Sequence, residues 1–181
     1  MPTFTDGVVV NAATLNKLST GINNLNSLLT GAVAPRVYVP TATASINTTH
    51  SLANATDTIV TLDVAGVNNE AMWIAGQQPF TVQTAGVYVA WGQVNFTANA
   101  TGVRTGGILL NGTSVASNSV ARCSEAAASG TDLSTMSMKT PPMSLAVGAV
   151  LYLTAWQSSG GALTLDPTLS GAFLSVMRIG A

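Results

Sequence analysis

The segment Phe80-Thr-Val-Gln-Thr-Ala-Gly-Val-Tyr-Val-Ala-Trp91 carries the strongest structural signal in this 181-residue chain. Its second half, Val87–Trp91, is apolar at every position, and Ala149–Leu153 shows the same pattern. Successive side chains of a strand point to opposite faces of a sheet, so both segments predict strands that are apolar on both faces. A strand with one solvated face alternates between apolar and polar residues instead. We therefore expect the second face to be covered by an inserted loop or by a neighbouring subunit, and we favour the subunit.

The chain around this segment repeats with a period of two residues and is interrupted by frequent turn signals. Asn111-Gly112 lies between apolar runs and predicts a hairpin with a type I′ turn, because both residues tolerate a positive φ. Many short strands without an intervening helical pattern indicate an all-β sandwich or barrel. The predicted strands are Val37–Ala44, Thr58–Val64, Phe80–Val82, Gly86–Thr97, Gly106–Leu110, Ser114–Val120, Leu133–Lys139, Ala149–Gln157, Ala162–Leu165 and Ala172–Ile179.

Charged residues are scarce in the sequence. They make up only 7% of the chain, whereas about 25% is typical of soluble proteins. With six basic residues and a formal net charge of −1, the chain has no positive stripe for nucleic-acid phosphates or anionic membranes, so neither is an expected partner. The exterior must instead be wetted by neutral polar groups from 24 threonines, 16 serines and 13 asparagines. A monomer with little net charge has weak colloidal protection, so the composition suits a permanent assembly.

The N-terminal region shows the a/d pattern of a coiled coil, with apolar residues spaced alternately by three and four: Leu15, Leu18, Ile22, Leu25 and Leu29. A single short helix is only marginally stable alone in water, so the apolar seam of this helix must pack on another surface. The seam packs either on its own domain or, as we favour, in a short parallel bundle of an oligomer. Pro35 and Pro40 limit helix beyond it. We therefore divide the chain into an N-terminal attachment segment with a trimerising helix, residues 1–33, and a head domain, residues 34–181.

No targeting or membrane-inserted segment is predicted. The N-terminus lacks the basic region and apolar core of a secretory signal. The most apolar stretch, Met143–Trp156, is shorter than the roughly 18 residues that a transmembrane helix needs. Cys123 is the single cysteine, which excludes an intrachain disulfide and a cysteine zinc site. These features predict a protein that is made in a cytosol.

Few residues offer catalytic chemistry. His50 is the single histidine and lies in a loop-like stretch without a positioned acid–base partner. Arg122 could lower the thiol pKa of its neighbour Cys123, although a free cysteine more commonly behaves as a small buried apolar residue. The carboxylates are dispersed, so the acid–base pair of a glycosidase is not visible. We predict that the protein is not an enzyme and has no catalytic residue, no metal site and no cofactor.

Carbohydrate binding is the ligand chemistry that the aromatic residues leave open. Trp91 and Trp156 lie in strongly apolar strands, which favours a place in the core. Trp73 lies in a turn-rich segment beside Gly76 and is the candidate for stacking on a sugar ring. The loop Ser124–Asp132 is rich in alanine and glycine and is a second candidate for recognition, since binding residues commonly lie on loops.

Phe80, Gly86 and Tyr88 form an F-x-x-x-x-x-G-x-Y pattern, and Ile108–Gly112, Leu145–Gly148 and Phe173–Gly180 follow it in order. On these residues the chain resembles the complement globular-head and tumour-necrosis-factor superfamily of trimeric jelly rolls. The resemblance covers roughly residues 34–181. It implies a jelly-roll sandwich that buries one apolar sheet face around a three-fold axis.

The N-terminus resembles a different group of proteins. Asp6–Asn16 is similar to the openings of many bacteriophage tail and fibre proteins, in which paired-asparagine spacers such as Ile22-Asn23-Asn24-Leu25 follow. This resemblance implies a virion protein that attaches to other virion proteins through its N-terminal segment.

The two resemblances together predict a homotrimeric bacteriophage structural protein located in the virion. In the first hypothesis it is a tail-fibre or receptor-binding protein whose head adsorbs to the host surface, with host cell-surface carbohydrate as the candidate ligand. In the alternative hypothesis it is a trimeric capsid decoration protein, a head fibre or cement protein, without a receptor. A more remote alternative is an enzyme that degrades cell-wall glycans, which lacks a visible acid–base pair.

Overall fold

The computed structural model describes residues 39–128, 132–167 and 171–181, together with Asn16 and Gly21. The chain divides into two compact units, Met1–Tyr38 and Val39–Ala181. The predicted trimerising residues Leu15, Leu18, Ile22, Leu25 and Leu29 lie outside the described residues, so the coiled coil stays a prediction.

The second unit is built almost wholly from short strands, as expected for a chain rich in β-branched threonine and valine. Its described part also contains one short helix, α1 (Val115–Asn118). The strands are β1 (Thr41–Ser45), β2 (His50–Leu52), β3 (Thr58–Ile59), β4 (Val64–Asn68), β5 (Phe80–Thr81), β6 (Gly86–Phe96), β7 (Val103–Leu110), β8 (Ser119–Ala126), β9 (Ser134–Lys139), β10 (Met143–Leu145), β11 (Val150–Gln157), β12 (Leu163–Leu165) and β13 (Ala172–Gly180).

The strands form two antiparallel sheets. Sheet A has the order β2-β12-β6-β13-β1-β4, and β9 and β10 also pair with β6. Sheet B has the order β3-β11-β7-β8, and β5 also pairs with β11. The long strand β6 and the last strand β13 pair along most of their length at the centre of sheet A, from Ala172↔Val94 to Gly180↔Val87.

The core lies between the two sheets, because alternate residues of each strand point inward. From β6 the inward side chains include Tyr88, Ala90, Val94 and Phe96, all fully buried. Gly92 occupies the inward position between Ala90 and Val94. A Cβ there would lie only 2.9 Å from Leu153 Cδ1 in sheet B, so a side chain at this position would require Leu153 to shift.

The connection between β7 and β8 differs from the predicted hairpin. Asn111 has a φ of 55°, but Gly112 does not share the positive φ that a type I′ turn needs. Helix α1 also occupies much of the predicted strand Ser114–Val120. It forms because the backbone N–H groups of residues 117 and 118 donate to the carbonyl of Ser114, so strand pairing resumes only at residue 119.

The predicted strand Thr58–Val64 covers β3 and only the first residue of β4, and these two strands belong to different sheets. Strand β3 ends at Ile59, and the N–H of the next residue, Val60, still donates to Leu153 in sheet B. Three residues later the N–H of Asp63 donates to Ser45 in sheet A. The chain therefore crosses between the sheets inside one apolar run, which periodicity does not show. The strands β2 and β10, three residues each, were not predicted.

Candidate functional site

The outer face of sheet A carries the apolar residues that the core does not use. On β6 the residues that alternate with the core positions are Val87, Val89, Trp91 and Gln93. The register places Val89 opposite Met177 of β13, and Trp91 between Ser175 of β13 and Lys139 of β9. Cross-strand neighbours on one face of a sheet are in contact. The centre of this solvent-side face is therefore an apolar and aromatic surface.

This surface is an open groove with a volume of about 830 Å³. The β9–β10 connection is held beside it because Thr140 hydrogen-bonds Ala90 of β6 through both its N–H, which donates to the Ala90 carbonyl, and its hydroxyl, which accepts from the Ala90 N–H. We name this feature the sheet A groove, lined by Val89, Trp91, Ser137, Met138, Lys139, Thr140, Pro142, Met177 and Ile179.

The sheet A groove exposes large apolar side chains to water. Ile179 is 49% exposed, and Trp91 and Met177 are half-buried. Lys139 is the only charged side chain among the lining residues, and none of them is a carboxylate, histidine or cysteine. The groove can therefore bind an apolar surface with a nearby negative charge, but its described lining holds neither an acid–base pair nor metal ligands. No cluster suited to hold a metal occurs among the described residues of the whole chain.

Two tryptophans lie on different faces from those predicted. Trp91 was expected in the core, but it alternates with the core residues Ala90 and Gly92 and points to the outer face of sheet A. Trp156 is likewise half-buried on the outer face of sheet B, between the inward residues Ala155 and Gln157. Both predictions were wrong because consecutive apolar residues do not show which face of a strand points inward.

The candidate stacking residue Trp73 belongs to the core. Its side chain is only 2% exposed, and its ring packs on Phe80 with 6.4 Å between the ring centroids. Its indole N–H donates to the carbonyl of Gln77, and the side chain of Asn68 binds both the N–H and the carbonyl of Trp73. A buried ring with its N–H occupied cannot stack on a sugar, so the prediction for Trp73 is wrong.

Cys123 and His50 show no catalytic arrangement. Cys123 lies opposite Gly106 and packs against the core, whereas the next-door Arg122 is exposed. Burial and the nearby carboxylate of Glu125 raise the pKa of the Cys123 thiol, opposite to the lowering expected from Arg122. His50 lies on the short edge strand β2, 3.5 Å from the hydroxyl of Thr48. Of the predicted recognition loop Ser124–Asp132, residues 124–126 belong to strand β8 instead, and residues 129–131 lie outside the described residues.

A buried arginine is the residue that sequence reasoning missed most completely. The side chain of Arg104 points from β7 into one end of the core and is 0% exposed. Its guanidinium donates to the carbonyls of Asn99, Thr101 and Val103 and lies 6.0 Å from the ring centre of Phe96. Burial lowers the pKa of Arg104. Three backbone carbonyls and an aromatic ring thus surround this cation and hold the loop between β6 and β7.

Tyr88 is the second buried polar group. Its hydroxyl donates to the carbonyl of Thr84 at 2.6 Å, and the hydroxyl of Thr84 in turn donates to Glu70 at 3.0 Å. Burial, together with the negative charge of Glu70, raises the pKa of Tyr88, and the nearby Arg178 opposes this shift. This cluster lies at one end of the core and stabilises it without facing the sheet A groove.

Comparison with known proteins gives the fold and little else. No protein-family model and no curated protein matches the chain. Among solved structures the chain is similar to murine APRIL, with 17% identity, a TM-score of 0.55, and 78% of this chain and 99% of that chain covered. It is also similar to the globular domain of zebrafish complement 1qA, with 12% identity, a TM-score of 0.52, and coverage of 77% and 97%. Eiger TNF from S. frugiperda has 10% identity, a TM-score of 0.54, and coverage of 78% and 93%.

These similarities confirm the predicted fold class, an all-β jelly-roll sandwich of the complement-head and tumour-necrosis-factor type. At such low identity they show the fold alone. The described helical residues include no segment that is long and apolar enough to cross a membrane.

Proposed function

We propose that the protein is a homotrimeric structural protein whose jelly-roll heads associate through the outer face of sheet A. The observation that supports this most directly is the sheet A groove, where Trp91, Met177 and Ile179 are left accessible to water. An accessible apolar surface of this kind supports the assignment of an interaction site. The similarity in fold to complement and tumour-necrosis-factor heads supports the same assignment.

The position of the groove favours a ring of subunits. The groove lies over β6, β9 and β13, on one side of the sheet. We assign the surface that fills it to a different part of the neighbouring chain. Contacts between two different surfaces repeat around a rotation axis, and they close into a ring where the rotation angle allows it. The predicted N-terminal coiled coil would have the same three-fold symmetry as a ring of three heads, so the ring that we propose is a trimer.

We place this trimer in a bacteriophage virion, with its head exposed for adsorption to the host surface. The support is the phage-like N-terminal segment Asp6–Asn16 and a composition with 7% charged residues, which suits a permanent assembly. Three weak sites on one axis would give useful avidity for host cell-surface carbohydrate. A capsid decoration trimer has the same fold and composition, so it is the second candidate. An enzyme that degrades cell-wall glycans gains no support from the groove, whose lining has no carboxylate.

The oligomeric state is tested by light scattering on the full chain after size exclusion. We expect a mass three times the 18.3 kDa of one chain. Replacing Ile22 and Leu25 by Asp should weaken the trimer. Adding Met177→Glu should move dissociation to higher protein concentration, because Met177 lies opposite Val89 and an unpaired charge buried in an interface is costly. Val147→Glu is the matched control, since Val147 is 63% exposed outside the groove. A wild-type chain that is monomeric would refute the proposal.

The place in the virion is tested by immunogold labelling of intact particles with an antibody against residues 34–181. Gold at the tail tip would support adsorption. Gold spread over the capsid would identify a decoration trimer, and unlabelled particles would remove the virion assignment while leaving the trimer in place.

A further inference from the structure

The outer face of sheet B carries two half-buried aromatic side chains, Trp156 and Tyr152. Both residues alternate with the inward residues of β11, so both side chains point away from the core. They lie four residues apart on one strand, which places their Cα atoms about 13 Å apart. This face is on the opposite side of the sandwich from the sheet A groove. Heads that associate through sheet A therefore leave it accessible.

The surface between the two aromatic residues is flat because Gly107 of β7 has no side chain. The register places Gly107 between Thr154 of β11 and Arg122 of β8. A Cβ on Gly107 would lie 2.6 Å from Thr154 Oγ1, and its next nearest atoms would belong to β8 rather than to sheet A. Gly107 therefore faces outward, and Arg122 faces outward beside it.

Arg122 is within reach of a ligand that stacks on either aromatic ring. Strand β8 is two strand spacings from β11, or about 10 Å. Along the strands, the row of Arg122 lies two residues from the row of Trp156 and two residues from the row of Tyr152. The Cα of Arg122 is therefore about 12 Å from the Cα of each aromatic residue. Long side chains at this separation leave space for a sugar ring between their ends.

The charge on this face is positive. Arg122 is exposed, and it is the only charged residue at the outward positions of the described strands of sheet B. Glu125 lies on the other side of β8, with its carboxylate 3.8 Å from the thiol of Cys123, which packs against the core. Asp57 directly precedes β3, which is three strand spacings, or about 14 Å, from β8. The centre of the face thus complements a negatively charged group.

Hydroxyl groups complete the polar part of the face. Thr105 and Ser124 lie in the same row as Trp156, and their hydroxyls hydrogen-bond each other. A hydroxyl is both a donor and an acceptor, so Ser124, which is exposed, keeps the capacity for a further hydrogen bond. We name the following residues the sheet B platform: Thr105, Gly107, Arg122, Ser124, Tyr152 and Trp156.

We infer that the sheet B platform binds an acidic oligosaccharide, with Trp156 and Tyr152 stacked on sugar rings and Arg122 bound to a carboxylate. Aromatic rings pack on the apolar C–H face of a sugar, and the planar guanidinium matches a carboxylate through two parallel hydrogen bonds. Leu109 and Thr154, which lie between the rings, are buried. The accessible apolar area therefore consists of two separate rings, which suits a chain of sugars better than an apolar protein surface.

This inference rests on the proposed adsorption to host cell-surface carbohydrate, and it names the site and the class of sugar. Binding of the full-length chain to oligosaccharides coupled to a sensor surface tests it. The acidic probes are tetragalacturonic acid and sialyllactose, and their neutral counterparts are methyl-esterified tetragalacturonate and lactose. We expect at least one acidic probe to bind about tenfold more tightly than its counterpart, because hydrogen bonds between charged groups contribute on this order. The difference should shrink as salt is added.

Two substitutions locate the binding on the platform. Trp156→Ala and Arg122→Gln should each weaken binding of the acidic probe about tenfold. Arg122→Lys should restore part of the loss, because it keeps the charge without the planar guanidinium. Val147→Ala is the matched control, since Val147 is 63% exposed outside the platform. Each variant should keep the mass and the urea midpoint of the wild type. If Trp156→Ala does not fold, Tyr152→Ala takes its place.

The outcomes separate this site from the proposed function. Equal binding of acidic and neutral probes would overturn the inference, and so would binding that Trp156→Ala and Arg122→Gln leave unchanged. If no probe binds while the wild-type chain has the mass of a trimer, the inference fails and the trimer stands. If the wild-type chain is a monomer but Trp156→Ala still weakens its binding to an acidic probe, the trimer fails and the site stands. Gold over the capsid together with platform-dependent binding would refute adsorption by the tail and support the site.

Discussion

Replacing Arg104 by methionine tests whether a buried cation stabilises the head domain. Arg104→Met introduces an apolar side chain of similar length and removes the guanidinium N–H groups. These groups donate to the carbonyl oxygens of Asn99, Thr101 and Val103 at 2.9, 2.9 and 3.2 Å. The Val103 carbonyl keeps another donor, the N–H of Ser158 at 3.1 Å. Two carbonyls therefore lose the hydrogen bond that holds the β6–β7 loop in place.

The magnitude follows from opposing contributions. Hydrogen bonds to a charged group contribute about 1.5–3 kcal/mol each, so two of them represent roughly 3–6 kcal/mol before other effects. Against this, methionine removes the desolvation cost of a fully buried guanidinium, which amounts to several kcal/mol. The carbonyls of Asn99 and Thr101 also lie in a partly exposed loop, where water can replace the lost donor. We expect a net loss of about 2 kcal/mol in the free energy of unfolding.

Urea unfolding at one fixed protein concentration measures this loss, since the stability of an oligomer depends on concentration. The midpoint should fall while the dependence on urea stays constant. Arg122→Met is the control, because Arg122 is exposed on the neighbouring strand β8, and its effect should stay within about 0.5 kcal/mol. If Arg104→Met is as stable as the wild type or more so, desolvation outweighs the hydrogen bonds and the reasoning is refuted.

Three further predictions concern side chains that lie in the core or pack against it. The pKa of Tyr88 in the folded protein lies above its ordinary value, so its contribution to the free energy of unfolding is complete below about pH 10 and declines at higher pH. Urea unfolding at several alkaline pH values should show a smaller decline for Tyr88→Phe than for the wild type. The same decline in both proteins would contradict this prediction. Cys123, whose thiol pKa is raised, should react with iodoacetamide more slowly at pH 7 than a free cysteine, and faster reaction would restore the nucleophile hypothesis. Trp73→Ala should lower the melting temperature strongly, with a loss of about 3–5 kcal/mol as for other buried aromatic residues; a stable variant would show that the ring is not part of the core.

The positions of most strands were predictable from the sequence, but their faces were not. The period of two residues located most strands because a half-buried strand alternates between apolar and polar residues. In β6 the residues Val89, Ala90 and Trp91 are all apolar, so the sequence contained no sign that Trp91 points outward. The prediction that this strand needs a second cover depended on the same run, and the sheet A groove is where such a cover would lie. Strand β13 also has apolar residues on both faces from Phe173 to Ile179, and this pattern likewise predicts a cover over Met177.

Long-range contacts set the limits of the other predictions. Trp73 was misplaced because its burial depends on Asn68 and Phe80, which bring the turn over the end of the core. Arg104 gave no signal, because an arginine in a strand usually points to solvent and its carbonyl partners belong to the loop that precedes it. Helix α1 was missed because a single turn of four residues is too short to show helical periodicity.

The central position of β13 has a consequence for how the protein is made. Residues 172–180 of β13 pair with both β6 and β1. Thr41 and Met177 are therefore neighbours in the sheet, although they lie near opposite ends of the head domain's sequence. Sheet A therefore cannot complete its middle until the last strand has left the ribosome. Until then β6 and β1 expose unpaired apolar edges, and contacts this distant in sequence form slowly. We expect nascent chains that lack β13 to depend on chaperones, and sheet A to be completed only after β13 has emerged.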